Sequence, residues 1–89
     1  MSQRGLSPER ALEIVTAAVE SVLRHPVVGV RPEHELEKDL GFDSLHFVEV
    51  IAEIEAVARL QIADVDAVKA KTVADLTALL TNFPAKPDQ

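Results

Sequence analysis

Asp39-Leu40-Gly41-Phe42-Asp43-Ser44-Leu45-His46-Phe47-Val48-Glu49-Val50 opens the stretch whose reading decides how this chain folds. Up to Gly41 the residues read as loop. From Ser44 to Arg59 there is neither Gly nor Pro, and Asp43 is a good N-cap, so a helix is expected from Asp43-Ser44 to Arg59 or Leu60. At about 100° per residue, Phe47, Val50, Ile51, Ile54, Val57 and Ala58 share a sector of about 120°, the width of an ordinary core face. The opposite side carries Leu45, Val48, Ala52 and Ala56, with Glu49, Glu53 and Glu55 interleaved or flanking. Scattered exposed apolar residues on a surface need no explanation. The other reading is a docking helix, with small apolar knobs ringed by carboxylates that steer encounter while the apolar centre supplies contact area. The same glutamates argue against burial of this face in a homo-oligomer, so a monomer is expected.

Upstream, Ser7-Pro8-Glu9 is a helix start: Ser7 caps, Pro8 has the φ wanted at the first position, and Glu9 complements the dipole. Ala11, Leu12, Val15, Ala18, Val19, Val22 and Leu23 recur at helical spacing. The first helix is expected from Pro8 to Arg24, stopped by His25-Pro26, because the residue before a proline is driven out of the α region. Val27 to Phe42 is then a long connection for so small a chain, a length usually functional or disordered. Leu36 and Leu40, four apart, suggest one turn pinned to the core. Downstream, Gln61 to Lys71 is too broken for a full helix, although Asp64 can cap one turn through Val68. Thr72-Val73-Ala74-Asp75 is close to a capping box, with Asp in place of Glu, and opens a helix through Leu76, Leu79 and Leu80 that Asn82 and Pro84 end. No period-two alternation or internal repeat appears. The class is all-α, a four-helix bundle of three principal helices, a short third helix and a long first loop. A flexible N-terminus is expected over residues 1–7, the folded domain over 8–82 and a disordered tail over 83–89.

The chain has 89 residues, no Cys, Trp or Tyr, three Phe and one Met. That leaves no disulfide staple or thiolate metal cage, and a core too small for a deep catalytic cleft. No stretch approaches the roughly 18 apolar residues of a spanning helix and no leader pattern opens the chain, so a cytoplasmic protein without membrane association is expected. A net charge of −6 disfavours nucleic acid. Its distribution says more: eight acids lie between Glu33 and Glu55 against one base, Lys38. A solvated surface and an acidic face for basic partners both fit that run.

A serine at a helix N-terminus sets its hydroxyl among unpaired backbone N–H groups at the positive end of the dipole, a suitable place for a phosphate ester. Gly41 permits the sharp approach and Asp43 caps. Alone, this pattern is also ordinary capping chemistry. The longer string, Asp39-Leu40-Gly41-Phe42-Asp43-Ser44-Leu45, closely resembles the phosphopantetheine attachment site of acyl carrier proteins, D-L-G-x-D-S-L. Glu49 and Glu55 match acidic positions of that family's recognition helix. Ile62-Ala63-Asp64 and Lys71-Thr72-Val73-Ala74-Asp75 are similar to its run from the third helix into the fourth. The likeness spans about Pro8 to Leu80.

What the resemblance implies is a discrete carrier with no catalytic activity of its own. Ser44 would bear a covalent 4′-phosphopantetheine, with Gly41, Asp43 and Leu45 shaping the attachment site. Leu45, Val48, Glu49, Ala52, Glu53 and Glu55 would meet partners: a phosphopantetheinyl transferase, then an acyltransferase, a ketosynthase or other acyl-processing enzymes. The cargo would be acyl thioesters of polyketide, fatty-acid or related biosynthesis. His46 stands where fatty-acid carriers have another acid. Ala58 replaces an aromatic residue and Arg59 follows it in place of acids, which points to a dedicated carrier in polyketide or other specialised metabolism. A peptidyl or aminoacyl carrier, and an unmodified helical interaction module in which Ser44 only caps, are the alternatives. His46 is expected on the surface. Its side chain points about 200° from that of Ser44 around the helix, which disfavours a Ser–His relay. A serine hydrolase would need a GxSxG elbow. Asp64-Val65-Asp66 lacks the later ligands of an EF-hand, and His25, His34 and His46 lack metal-ligand spacing.

Overall fold

The first helix, α1 (Pro8–Leu23), begins where local chemistry dictates: Ser7 Oγ accepts the Arg10 N–H at 3.2 Å, and Pro8 occupies the first turn. In the computed structural model the described residues are 6–81 without His25 and Val28. Ala11, Ile14, Val15, Ala18, Val19 and Val22 are buried, so Ile14 belongs to the core stripe while Leu12 and Leu23 sit half-buried at its margins. The helix ends at Arg24, in the left-handed region at φ 64°, with its N–H donating to the Glu20 carbonyl at 2.8 Å. Termination therefore precedes the expected His25-Pro26 stop, of which His25 lies outside the described residues.

The second helix, α2 (Ser44–Ala58), starts at the N-cap Asp43 and stops at Arg59, again left-handed at φ 59°. Val50 and Ile54 are wholly buried, and Phe47, Ile51 and Ala58 pack half-buried against the core. Val57 departs from the expected core face. It stands at the edge of the apolar sector in the last turn, and at 51% exposure no other element covers it.

Helix α3 (Asp64–Ala67) is a single turn. Its cap is Ala63 rather than Asp64, which is the first helical residue and supplies an acid to the first turn. Helix α4 (Val73–Thr81) opens with the expected reciprocal cap: the Asp75 N–H donates to Thr72 Oγ1 and the Thr72 N–H to Asp75 Oδ2, both at 3.1 Å. Asp75 Oδ2 also accepts the Lys71 N–H at 2.8 Å. These bonds to the Lys71 and Thr72 amides hold the Asp75 carboxyl below the usual carboxylate range. Val73, Leu76 and Leu80 are buried, and α1 packs against both α2 and α4. The fold is all-α, with four helices and no strand among the described residues.

The long first loop is held in two ways. Leu36 is buried, Leu40 packs half-buried behind it, and the turn between them is closed by bonds such as the Asp39 N–H to the Glu35 carbonyl at 2.9 Å. The loop also pairs with the approach to α4. The Leu36 N–H donates to the Lys71 carbonyl at 2.9 Å, the Val73 N–H to His34 at 3.0 Å and the Ala74 N–H to Pro32 at 2.7 Å, around an antiparallel bridge between Glu35 and Thr72.

The expected tail 83–89 and the stop at Asn82 and Pro84 lie outside the described residues, as do residues 1–5. Of the other two N-terminal residues, Ser7 caps α1 and Leu6 donates its N–H to the Leu80 carbonyl at 3.3 Å. No described helix is long and apolar enough to cross a membrane.

Candidate functional site

Each residue of the 39–46 string has a definite task in bringing Ser44 to the surface. Asp39 Oδ2 accepts the Glu35 N–H at 2.7 Å and stiffens the turn before the site. Gly41 takes φ 75°, and a Cβ there would meet nothing within 4 Å. The left-handed backbone, not lack of space, is what calls for glycine. Phe42, only 5% exposed, anchors the loop in the core. The chain then turns out, and Asp43 and Ser44 are exposed.

Asp43 and His46 close a capping box. Asp43 Oδ1 accepts the His46 N–H at 2.8 Å, and His46 Nδ1 accepts the Asp43 N–H at 3.2 Å. The His46 N–H at its carboxylate holds Asp43 below the usual carboxylate range. His46 is thus not the free surface histidine expected. It is half-buried, its ring centroid 5.6 Å from that of Phe42, and it serves the position where capping boxes ordinarily carry Glu or Gln. Its engaged Nδ1 also excludes it as a base for Ser44.

Ser44 is the first helical residue of α2, and its hydroxyl has no hydrogen-bond partner among the described residues. It lines a cavity of about 380 Å³ whose walls include Phe42, Phe47, Val48, Val68 and Lys71. An exposed, unengaged hydroxyl at a helix N-terminus, beside an apolar hollow, fits a phosphodiester-linked arm: the dipole favours the anion and the hollow offers apolar surface. Among the described residues no group of His, Asp or Glu is arranged to hold a metal ion.

The residues expected to meet partners divide. Leu45 and Val48 are 64% and 63% exposed, Ala52 and Glu49 are exposed, and Glu53 is half-buried. Glu49, Ala52 and Glu53 share a second groove of about 330 Å³ with Ser21, Val22 and Arg24 from the end of α1. Glu55 is not part of that rim. Its carboxylate turns to the α2–α3 link and accepts the Ile62 N–H at 2.7 Å. The structure adds two residues that the sequence reading missed, Val65 and Val68, 58% and 68% exposed. They lie three apart on the single turn of α3, while Ala67 between them is buried. That spacing was the available signal. Val68 meets Val48 across the cavity beside Ser44.

Comparison with known proteins agrees with this geometry. Residues 13–80 match the family model described as a phosphopantetheine attachment site. The chain is 37% identical over 68 residues to an acyl carrier protein of Helicobacter hepaticus, covering 76% of this chain and 90% of that one. It is 33% identical over 75 residues to an acyl carrier protein of an Exiguobacterium species, covering 84% and 95%. A solved structure assigned to an acyl carrier protein of Mycobacterium tuberculosis superposes with a TM-score of 0.69 at 35% identity, over 74% of this chain and 88% of that chain.

Proposed function

The chain belongs to the acyl carrier protein family, and from that premise we propose that Ser44 bears the family's covalent 4′-phosphopantetheine and that the domain delivers acyl thioesters to partner enzymes. The observation that carries the assignment to Ser44 is its position: exposed at the start of α2, unengaged, and on the wall of an apolar cavity. When bound, the arm supplies the thiol on which acyl groups travel. The chain's own residues present the hydroxyl and offer a docking surface. Gly41, Asp43 and Leu45 shape the approach to Ser44. Leu45, Val48 and Ala52 form an apolar centre, extended by Val65 and Val68, with Glu49 and Glu53 as its charged edge, while Glu55 holds the α3 end of the surface in place. Fifteen acids against nine bases favour basic-faced partners, beginning with a phosphopantetheinyl transferase and continuing with acyltransferases and ketosynthases. His46, Ala58 and Arg59, which depart from the pattern of fatty-acid carriers, favour polyketide or other specialised biosynthesis.

Incubation with coenzyme A and a promiscuous transferase should add one phosphopantetheine to the wild type and none to Ser44→Ala, read by intact mass. Labelling of the alanine variant, or of a second serine, would remove the assignment.

A further inference from the structure

We propose that His46 is a positioning residue for the Ser44 hydroxyl and that it acts only with an unprotonated Nδ1, so that transfer of the arm is gated by proton uptake at this ring. The inference rests on the reading of Ser44 as the attachment residue. Ser44 lies inside the capping box: Asp43 before it and His46 two residues after it are tied by two reciprocal bonds, of 2.8 and 3.2 Å. Those bonds restrain the backbone on both sides of Ser44 and therefore the direction of its side chain. One of them requires His46 Nδ1 to accept, which assigns the ring as neutral with its hydrogen on Nε2. The ring is oriented from the side by Phe42, which is itself fixed in the core.

Protonation changes the connectivity. With a hydrogen on Nδ1, the Asp43 N–H loses its acceptor, and Nδ1–H faces Asp43 Oδ1 at 3.2 Å. That oxygen already accepts the His46 N–H, so one carboxylate oxygen then serves two donors while a backbone donor is released. A cation also enters the first turn of α2, where the dipole favours anions. Asp43, from the loop, is the one ionisable group within 4.0 Å of the ring among the described residues. On α2 itself Glu49 stands three residues on. No acid or base of α1, α3 or α4 pairs with the ring among those residues. A Glu or Gln in the same place would cap without this response, because model imidazoles take up a proton at about pH 6.5.

The test is arm transfer from coenzyme A by one transferase to wild type, His46→Gln and His46→Ala, from pH 5.5 to 8.5. Ratios between variants at each pH cancel the transferase's own profile. At pH 8 the glutamine variant should match the wild type and the alanine variant should lose about fivefold, the rate equivalent of a lost cap of about 1 kcal/mol. The loss should fall on kcat, not on KM for the carrier, since Leu45 and Val48 are untouched. Towards pH 5.5 the wild type should fall relative to His46→Gln and approach His46→Ala. A flat ratio of wild type to His46→Gln, or an alanine variant equal to wild type throughout, overturns the inference while leaving Ser44 as the site. A wild type that takes no arm, or a Ser44→Ala variant that does, overturns the reading beneath it. Circular dichroism on His46→Gln confirms that the ratio compares folded proteins.

Discussion

The carboxylate of Glu55 accepts the backbone N–H of Ile62 at 2.7 Å, seven residues further on. Glu20 does the same for Val27 at 3.2 Å. In both cases the helix has ended on a left-handed arginine, Arg24 or Arg59, whose N–H returns to the carbonyl of that same glutamate. A non-glycine residue in this region costs roughly 1–2 kcal/mol. The paired bonds to one glutamate, through backbone and side chain, offset that cost. The α2–α3 link starts from this fixed point, with Ile62 buried and Val65 and Val68 presented outward.

Glu55→Ala should therefore destabilise the domain by about 1–2 kcal/mol, a value kept low because the group is half-buried. Glu55→Gln, which keeps an acceptor, should lose less, and Glu49→Ala should change little. Urea denaturation followed by circular dichroism ranks the three. A Glu49→Ala loss equal to that of Glu55→Ala would show that the link bond is not the source.

Truncation along α2 should follow burial, not hydrophobicity. Ile54→Ala, at a wholly buried position, should cost about 2–5 kcal/mol. Phe47→Ala should fall below the top of that range for its larger side chain, because Phe47 is only half-buried. Val48→Ala and Val57→Ala should each stay within about 0.5 kcal/mol. Thermal melts decide between this order and the one expected from the helical wheel, in which Val57 belongs to the core.

Gly41→Ala should cost about 1–2 kcal/mol through the left-handed backbone alone, since the added methyl meets no neighbour. Asn visits this region more readily, so Gly41→Asn should recover part of the loss. Equal losses in the two variants would point to a steric cause.

Asp75 bears on acid stability. Its pKa is lowered on folding by the Lys71 and Thr72 amides, so the unfolded chain binds the proton more tightly. The contribution is present above about pH 3.9, the unperturbed value, and is lost as pH falls through the lower folded value. In denaturation from pH 6 to pH 2, the wild type should exceed Asp75→Asn at the upper end, and the gap should close towards the lower end. A constant gap would show that the carboxylate's charge plays no part.

Docking on the outer face of α2 predicts different signatures for charge and contact. Glu49→Lys should raise KM for arm transfer and weaken its salt dependence, while Val48→Asp should raise KM with salt dependence retained. Kinetics between low and about 0.2 M salt read both. Unchanged kinetics in the two variants would place recognition elsewhere.

What the sequence determined by itself was local. Ser7, Asp43 and the Thr72–Asp75 pair declare helix starts, because a cap needs only a side chain and an amide two or three residues away. The 39–45 string could be read for the same reason: turn, anchor, cap and hydroxyl lie within seven consecutive residues. The ends of α1 and α2 were not legible to the same degree, since a left-handed arginine has no signature of its own and depends on a glutamate reaching across a link. His46 was misread because solvent exposure was assumed for a polar residue on the outer turn, whereas the Phe42 ring beneath it and the Asp43 amide turn it inward. Only the tertiary structure decided which apolar residues stay uncovered. Val57, Val65 and Val68 have the same hydrophobicity as Val50, and what separates them is whether another element lies over them. That depends on contacts such as Glu35 with Thr72, residues far apart in the chain whose pairing carries no local pattern.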